Sequence, residues 1–80
     1  MNRQEITNKL NEVFAEVFFD DTIKISDETT ANDIEAWDSL MHMTLISNVE
    51  DCFSIEFNMG EINSFKNVGE MIDSIERHLG

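Results

Sequence analysis

Asp38, Ser39 and His42 bring a carboxylate, a hydroxyl and an imidazole into one short stretch, the residue types of a hydrolytic triad. The spacing argues against that chemistry. Three residues apart on a helix, His42 can approach Ser39, but Asp38 then falls on the opposite flank instead of behind the imidazole. No Gly-x-Ser-x-Gly elbow presents the serine. His42 precedes Leu45 and Ile46 by three and four residues, so it leans toward an apolar stripe as a packed or hydrogen-bonded histidine. No catalytic residue is assigned, and the chain is not expected to be an enzyme.

Two other uses of Ser39 fit its surroundings. Asp38 and Ser39 are both good N-caps, and a helix beginning here needs one. The same helix start would expose the hydroxyl and offer free N–H groups and a positive dipole end to a phosphate. One serine can serve both uses. Capping alone leaves Leu40, Met41 and Met43 unexplained, because a cap requires no apolar residues outside the core stripe. Such residues give a partner something to grip, and methionine is an adaptable contact surface. Asp38, Glu50 and Asp51 would then face a basic rim on that partner, with Glu50 and Asp51 turned toward solvent.

The elements that must hold this stretch are helices. Asn2 to Val17 reads as the first, with Asn2 and Glu5 in capping-box spacing and Ile6, Leu10, Val13, Phe14 and Val17 as its apolar stripe. A long connection, Phe18 to Asp38, follows; Ile23, Ile25 and Ile34 are expected to pin it to the helices, and Trp37 either anchors its end or joins a partner surface. Its carboxylates lack the spacing and glycine of a calcium loop, so no metal site is assigned. Ser39 to Phe53 reads as the second helix, with Leu45, Ile46, Val49, Cys52 and Phe53 facing the core and Cys52 a buried thiol. A short helix is expected near Met59 to Ser64, with Ile55, Phe57, Ile62 and Phe65 as anchors. Asn67 opens the last helix, with Glu70 at the capping-box position and Val68, Met71, Ile72, Ile75 and Leu79 as its stripe. The expected fold is all-α: a small four-helix bundle of three longer helices and one short one, with a long first loop. Residues 1–80 are read as one domain.

Composition narrows the partners. Seventeen acidic residues against five Lys and Arg give a net charge of -12. No Lys or Arg occurs between Lys24 and Lys66, an interval holding nine acidic residues. This charge disfavours nucleic acid and anionic membrane surfaces as partners and favours basic proteins. No apolar run approaches the ~20 residues needed to span a bilayer. The single cysteine gives no disulfide framework or metal cluster. A monomer in the cytoplasm is the expected setting. On these grounds alone, an unmodified acidic adaptor that docks a partner also stays open.

Asp38-Ser39-Leu40, preceded by an acidic loop and followed by Leu45-Ile46, Val49-Glu50 and Phe53, resembles the acyl carrier protein family over essentially the whole chain. Asp33 to Leu40 is similar to the segment carrying that family's attachment serine. Phe53 to Phe57 is similar to its turn out of the second helix, and Asn67-Val68 to the start of its last. The resemblance implies that Ser39 carries 4'-phosphopantetheine, derived from coenzyme A and installed by a phosphopantetheinyl transferase. Asp38 would assist the transferase and its magnesium. Leu40, Met41, Met43, Glu50 and Asp51 would meet acyl-loading, condensing or acyl-transfer enzymes through basic docking patches. Acyl intermediates would travel as thioesters in fatty-acid, polyketide or related specialised biosynthesis; a peptidyl or aminoacyl carrier is the neighbouring alternative. Glu35-Ala36-Trp37, Ser47 and Asn58 depart from the usual fatty-acid pattern, which leaves a specialised pathway open beside fatty-acid synthesis.

Overall fold

Each helix of the computed structural model, which describes residues 1–80, starts on an Asn or Asp that accepts a backbone N–H of the first turn. Asn2 caps α1 (Arg3–Phe18), Asp38 caps α2 (Ser39–Phe53), Asn58 caps α3 (Met59–Ser64) and Asn67 caps α4 (Val68–Leu79). These short side chains satisfy donors that a helix start otherwise leaves open. Asn2 and Asn58 form full capping boxes with Glu5 and Glu61. Asn67 does not: the Glu70 carboxylate turns to the Lys66 N–H, 3.1 Å away. The fold is the expected all-helical one, with four helices and no strands.

α1 packs against α2 and α4. Its predicted stripe, Ile6, Leu10, Val13, Phe14 and Val17, is buried throughout, and 17 buried residues form one core. Ile25 is buried in that core, while Ile23, Ile34, Ile55 and Phe65 lean against it half-covered. The first loop, which contains a 3-10 turn at Ala31–Asp33, is stitched down by hydrogen bonds. Asn11 Oδ1 accepts the Ile25 N–H at 2.8 Å. The Val68 and Gly69 N–H groups, open at the start of α4, donate to the carbonyls of Thr29 and Asp27 at 2.8 and 2.9 Å. That approach requires glycine, because a Cβ on Gly69 would stand 2.8 Å from the Asp27 carbonyl oxygen.

Two stripe residues prove misplaced. Cys52 is exposed, not buried. Four residues overshoot a full helical turn by about 40°. Leu45, Val49 and Phe53 therefore drift toward the side of Ile46, leaving Cys52 on the trailing edge. Leu79, in the last turn of α4 beyond the last buried residue Ile75, is 40% exposed. Its stripe is longer than the surface that covers it.

Distant charges join the pieces. The Arg3 guanidinium reaches Asp27, Asp73 and Glu76 at 3.1, 2.7 and 2.5 Å. These carboxylates, Asp73 foremost, hold it above the ordinary guanidinium pKa. Between α3 and α4, Glu61 accepts the hydroxyl of buried Ser74 and contacts His78 Nε2 at 3.0 Å. Ser74, then the Asn58 backbone and His78, lower the Glu61 carboxyl from 4.5 to about 2.

Candidate functional site at the start of α2

The start of α2 is fixed from beneath by Trp37. Its indole is buried edge-on against Phe14, ring centroids 5.3 Å apart, and also meets Phe18 at 6.2 Å. Indole nitrogen can only donate, so its 3.0 Å contact assigns His42 Nδ1 as acceptor. The His42 proton then sits on Nε2 and donates to the Ile62 carbonyl at 3.0 Å. This relay ties the loop end, α2 and α3 together. Trp37 is thus the loop anchor the sequence suggested, and His42 the hydrogen-bonded histidine.

Above this support, capping and display fall on different residues. Asp38 Oδ1 accepts the Met41 N–H at 2.9 Å, and the Asp38 carbonyl accepts the His42 N–H at 2.8 Å. Ser39, the first residue inside the helix, is exposed and its hydroxyl has no partner within the chain. One serine serving as both cap and display site is therefore corrected: Asp38 caps. The N–H groups of Ser39 and Leu40 also remain open. No triad forms, since both His42 nitrogens are engaged elsewhere and Asp38 is turned to Met41.

The other named residues separate. Leu40 is 77% exposed, and Met43 and Asp51 are also exposed, on the outer face of α2. Met41 instead is half-buried against the core. Glu50 is not turned to solvent as expected; half-buried, its carboxylate accepts the Phe57 N–H at 2.8 Å and braces the chain leaving α2. The Phe57 donor lies seven residues on and has no other helical partner, so the long Glu side chain folds back to satisfy it.

Sequence reasoning missed two features. Met59, at the first position of α3, is 62% exposed. A groove of about 510 Å³ opens beside Ser39, running between His42 and Met43 of α2 and the α3 end at Ile62, Asn63, Phe65 and Lys66. Its one sequence signal was Lys66, which ends the cation-free interval. A free hydroxyl, two open N–H groups and an adjacent groove suit a phosphate-linked group on Ser39.

Known proteins resemble this chain over nearly its whole length. Residues 4–75 match the family model described as "Phosphopantetheine attachment site". The chain is 33% identical over 81 residues to an acyl carrier protein of Lactobacillus acidophilus, covering 100% of both. It is likewise 33% identical to one of Lactobacillus johnsonii, covering 98% of each. The solution NMR structure of the holo acyl carrier protein from Geobacter metallireducens superposes with a TM-score of 0.86 at 45% identity. That match covers 91% of this chain and 84% of that one.

Proposed function

The chain belongs to the acyl carrier protein family, non-catalytic carriers of a phosphopantetheine group, and from that premise we propose that Ser39 bears the group. The observation that carries this reading is the division at the start of α2: Asp38 takes the cap and leaves the Ser39 hydroxyl exposed and unpartnered. When bound, the group supplies a thiol that holds acyl cargo as a thioester. The chain itself contributes presentation. It keeps the hydroxyl at a helix start whose open N–H groups favour a phosphodiester there.

Activation of the hydroxyl comes from outside, because the nearest imidazole is committed to Trp37 and Ile62. A separate phosphopantetheinyl transferase therefore supplies the base that removes the Ser39 proton. The Ser39 oxygen forms the new bond to phosphorus, and the adenosine bisphosphate half of coenzyme A leaves. Asp38 uses one carboxylate oxygen in its cap bond, and the other would assist the transferase and its magnesium. Exposed Leu40, Met43 and Asp51 suit a partner with an apolar pocket and a basic rim. Its partners on this reading are loading, condensing or acyl-transfer enzymes of fatty-acid, polyketide or related specialised biosynthesis. Residues 1–80 act as one monomeric carrier domain in the cytoplasm.

Incubation with coenzyme A, magnesium and a broad-specificity transferase, read by intact mass, tests the assignment. One phosphopantetheine adduct is expected on the wild-type chain and none on Ser39→Ala. An adduct that survives the substitution would overturn it.

A further inference from the structure

Phe19 holds a phenyl ring in solvent on a backbone that suits glycine. It ends α1 at φ 54° and is 94% exposed. The left-handed conformation crowds any Cβ, and a ring left in water gains no burial to offset that strain. The turn closes without the ring, because the Phe19 and Asp20 N–H groups both return to the Ala15 carbonyl. Its neighbour Phe18 already supplies the apolar contact, packing on Phe14 and Trp37 with ring centroids 5.8 and 6.2 Å apart. Neither capping nor packing accounts for a phenylalanine here. Strain kept without a structural return gathers where a surface meets another molecule.

The surface around Phe19 has the form of such a meeting place. Phe18 and Asp20, on either side of it in sequence, line a cleft of about 290 Å³. Half-buried Phe18, Ile23 and Ile34 supply its apolar lining, and exposed Asp20, Asp33 and Glu35 its charge. That volume lies just below the range of small-molecule pockets and suits a side chain of another protein. No cation lines the cleft; Lys24, the nearest to Phe19 in sequence, lines a separate groove with Arg3. The cleft shares no lining residue with the groove beside Ser39, yet it ends at Ala36, three positions before that serine. A second copy of the chain, also at -12, would be repelled, whereas a basic protein would be drawn in. Resting on Ser39 as the attachment residue, we propose that Phe19 and this cleft form a docking surface for the phosphopantetheinyl transferase. Phe19 enters an apolar pocket of that enzyme, and Lys or Arg side chains around the pocket meet Asp21 and Glu35. The transferase is the occupant because it must bring phosphorus within bonding distance of the Ser39 oxygen, so its body covers the adjoining surface. An enzyme acting at the far end of the arm need not approach it.

The test follows loading of the full chain by the transferase of the same cell, read by intact mass, in wild type, Phe19→Gly, Phe19→Tyr and the double variant Asp21→Lys, Glu35→Lys. Phe19→Gly should raise KM about tenfold and leave kcat nearly unchanged, because a buried ring is lost from docking and nothing from the chemistry. It should melt at or above wild type, since glycine suits the left-handed backbone. Phe19→Tyr should load close to wild type. The double variant should raise KM at low salt, and the difference should vanish in ~1 M salt, where charges are screened within about 3 Å. Binding of the transferase to the unloadable Ser39→Ala chain should weaken by the same factor when Phe19→Gly is added, which separates docking from loading. An unchanged KM in Phe19→Gly would overturn the proposal. So would a lower melting temperature in that variant, which would make the ring part of the fold. Failure of the wild-type chain to load is seen separately in the mass spectrum and would remove the attachment reading itself.

Discussion

Two helix starts, at α1 and at α2, put their first side chains to opposite uses, although each leaves its first two N–H groups open. At the first, Arg3 divides its donors among Asp27, Asp73 and Glu76, with the Gly69 carbonyl at 3.4 Å. That joins α1, the long loop and α4 through contacts 24 to 73 residues apart. At the second, Asp38 satisfies one N–H while those of Ser39 and Leu40, with the serine hydroxyl, stay open beside exposed Leu40 and Met43. About 24 Å of helix, the length of α1, separates Arg3 from the end that meets Trp37. The Arg3 side chain is used up where the fold closes, whereas the Ser39 hydroxyl is left over at the proposed attachment site. An acidic chain with few cations can afford this only by placing Arg3 where it neutralises three carboxylates at once.

If this division is right, stability and loading should respond to different residues. The largest effect is expected at Trp37, which serves both. Trp37→Ala empties a buried aromatic site and should cost about 3–5 kcal/mol in chemical denaturation. Trp37→Phe keeps most of the packing but removes the donor to His42, so it should cost less and still slow transferase loading.

Glu61 comes next. Glu61→Ala leaves the buried Ser74 hydroxyl without its acceptor and breaks the α3 capping box, a loss of about 2–3 kcal/mol with loading preserved. Its carboxyl titrates lower folded than unfolded, so the unfolded chain binds the proton more readily. The contribution is complete above the ordinary value of 4.5 and drains as pH falls toward about 2. Thermal melts across that window should flatten in Glu61→Gln relative to wild type.

Arg3→Ala should cost about 1–2 kcal/mol, since each exposed pair is weak but three share one cation. Added salt should recover part of the loss by screening the freed carboxylates, and the loading rate should not change. A loading defect in this variant would break the comparison. Asp38 gives the smallest stability effect and the sharpest contrast. Asp38→Ala should lose about 1 kcal/mol of cap, whereas Asp38→Asn should melt near wild type. Both should load slowly if the carboxylate itself serves the transferase.

The helices were legible because their signals are local. Asn2, Asn58 and Asn67 mark starts within a few residues, and Ile6 to Val17 repeats on one face. The Ser39 neighbourhood was legible for the same reason, as a compact motif at a helix start. The relay from Trp37 through His42 to Ile62 was only half visible: His42 leaned toward the core, but its carbonyl partner lies 20 residues on. Glu50, Glu61 and Arg3 were opaque, since a carboxylate or guanidinium reads as solvated until a distant donor or acceptor arrives. Gly69 was opaque too, because its need for a missing Cβ is set by Asp27 across the fold. Phe19 shows the limit of pattern reading: it takes the left-handed C-cap of α1, φ 54°, where glycine is usual, and is 94% exposed.

The separation of cap from hydroxyl has a genetic consequence. Because Asp38 holds the helix start, an allele that loses only the Ser39 hydroxyl would still encode a folded chain that displays Leu40 and Met43. If Ser39 bears the group and Leu40 and Met43 meet partners as proposed, such a product would occupy the same partners while offering them nothing to load. Expressed beside the normal gene, it would act as a dominant competitor, and its phenotype would scale with its dose.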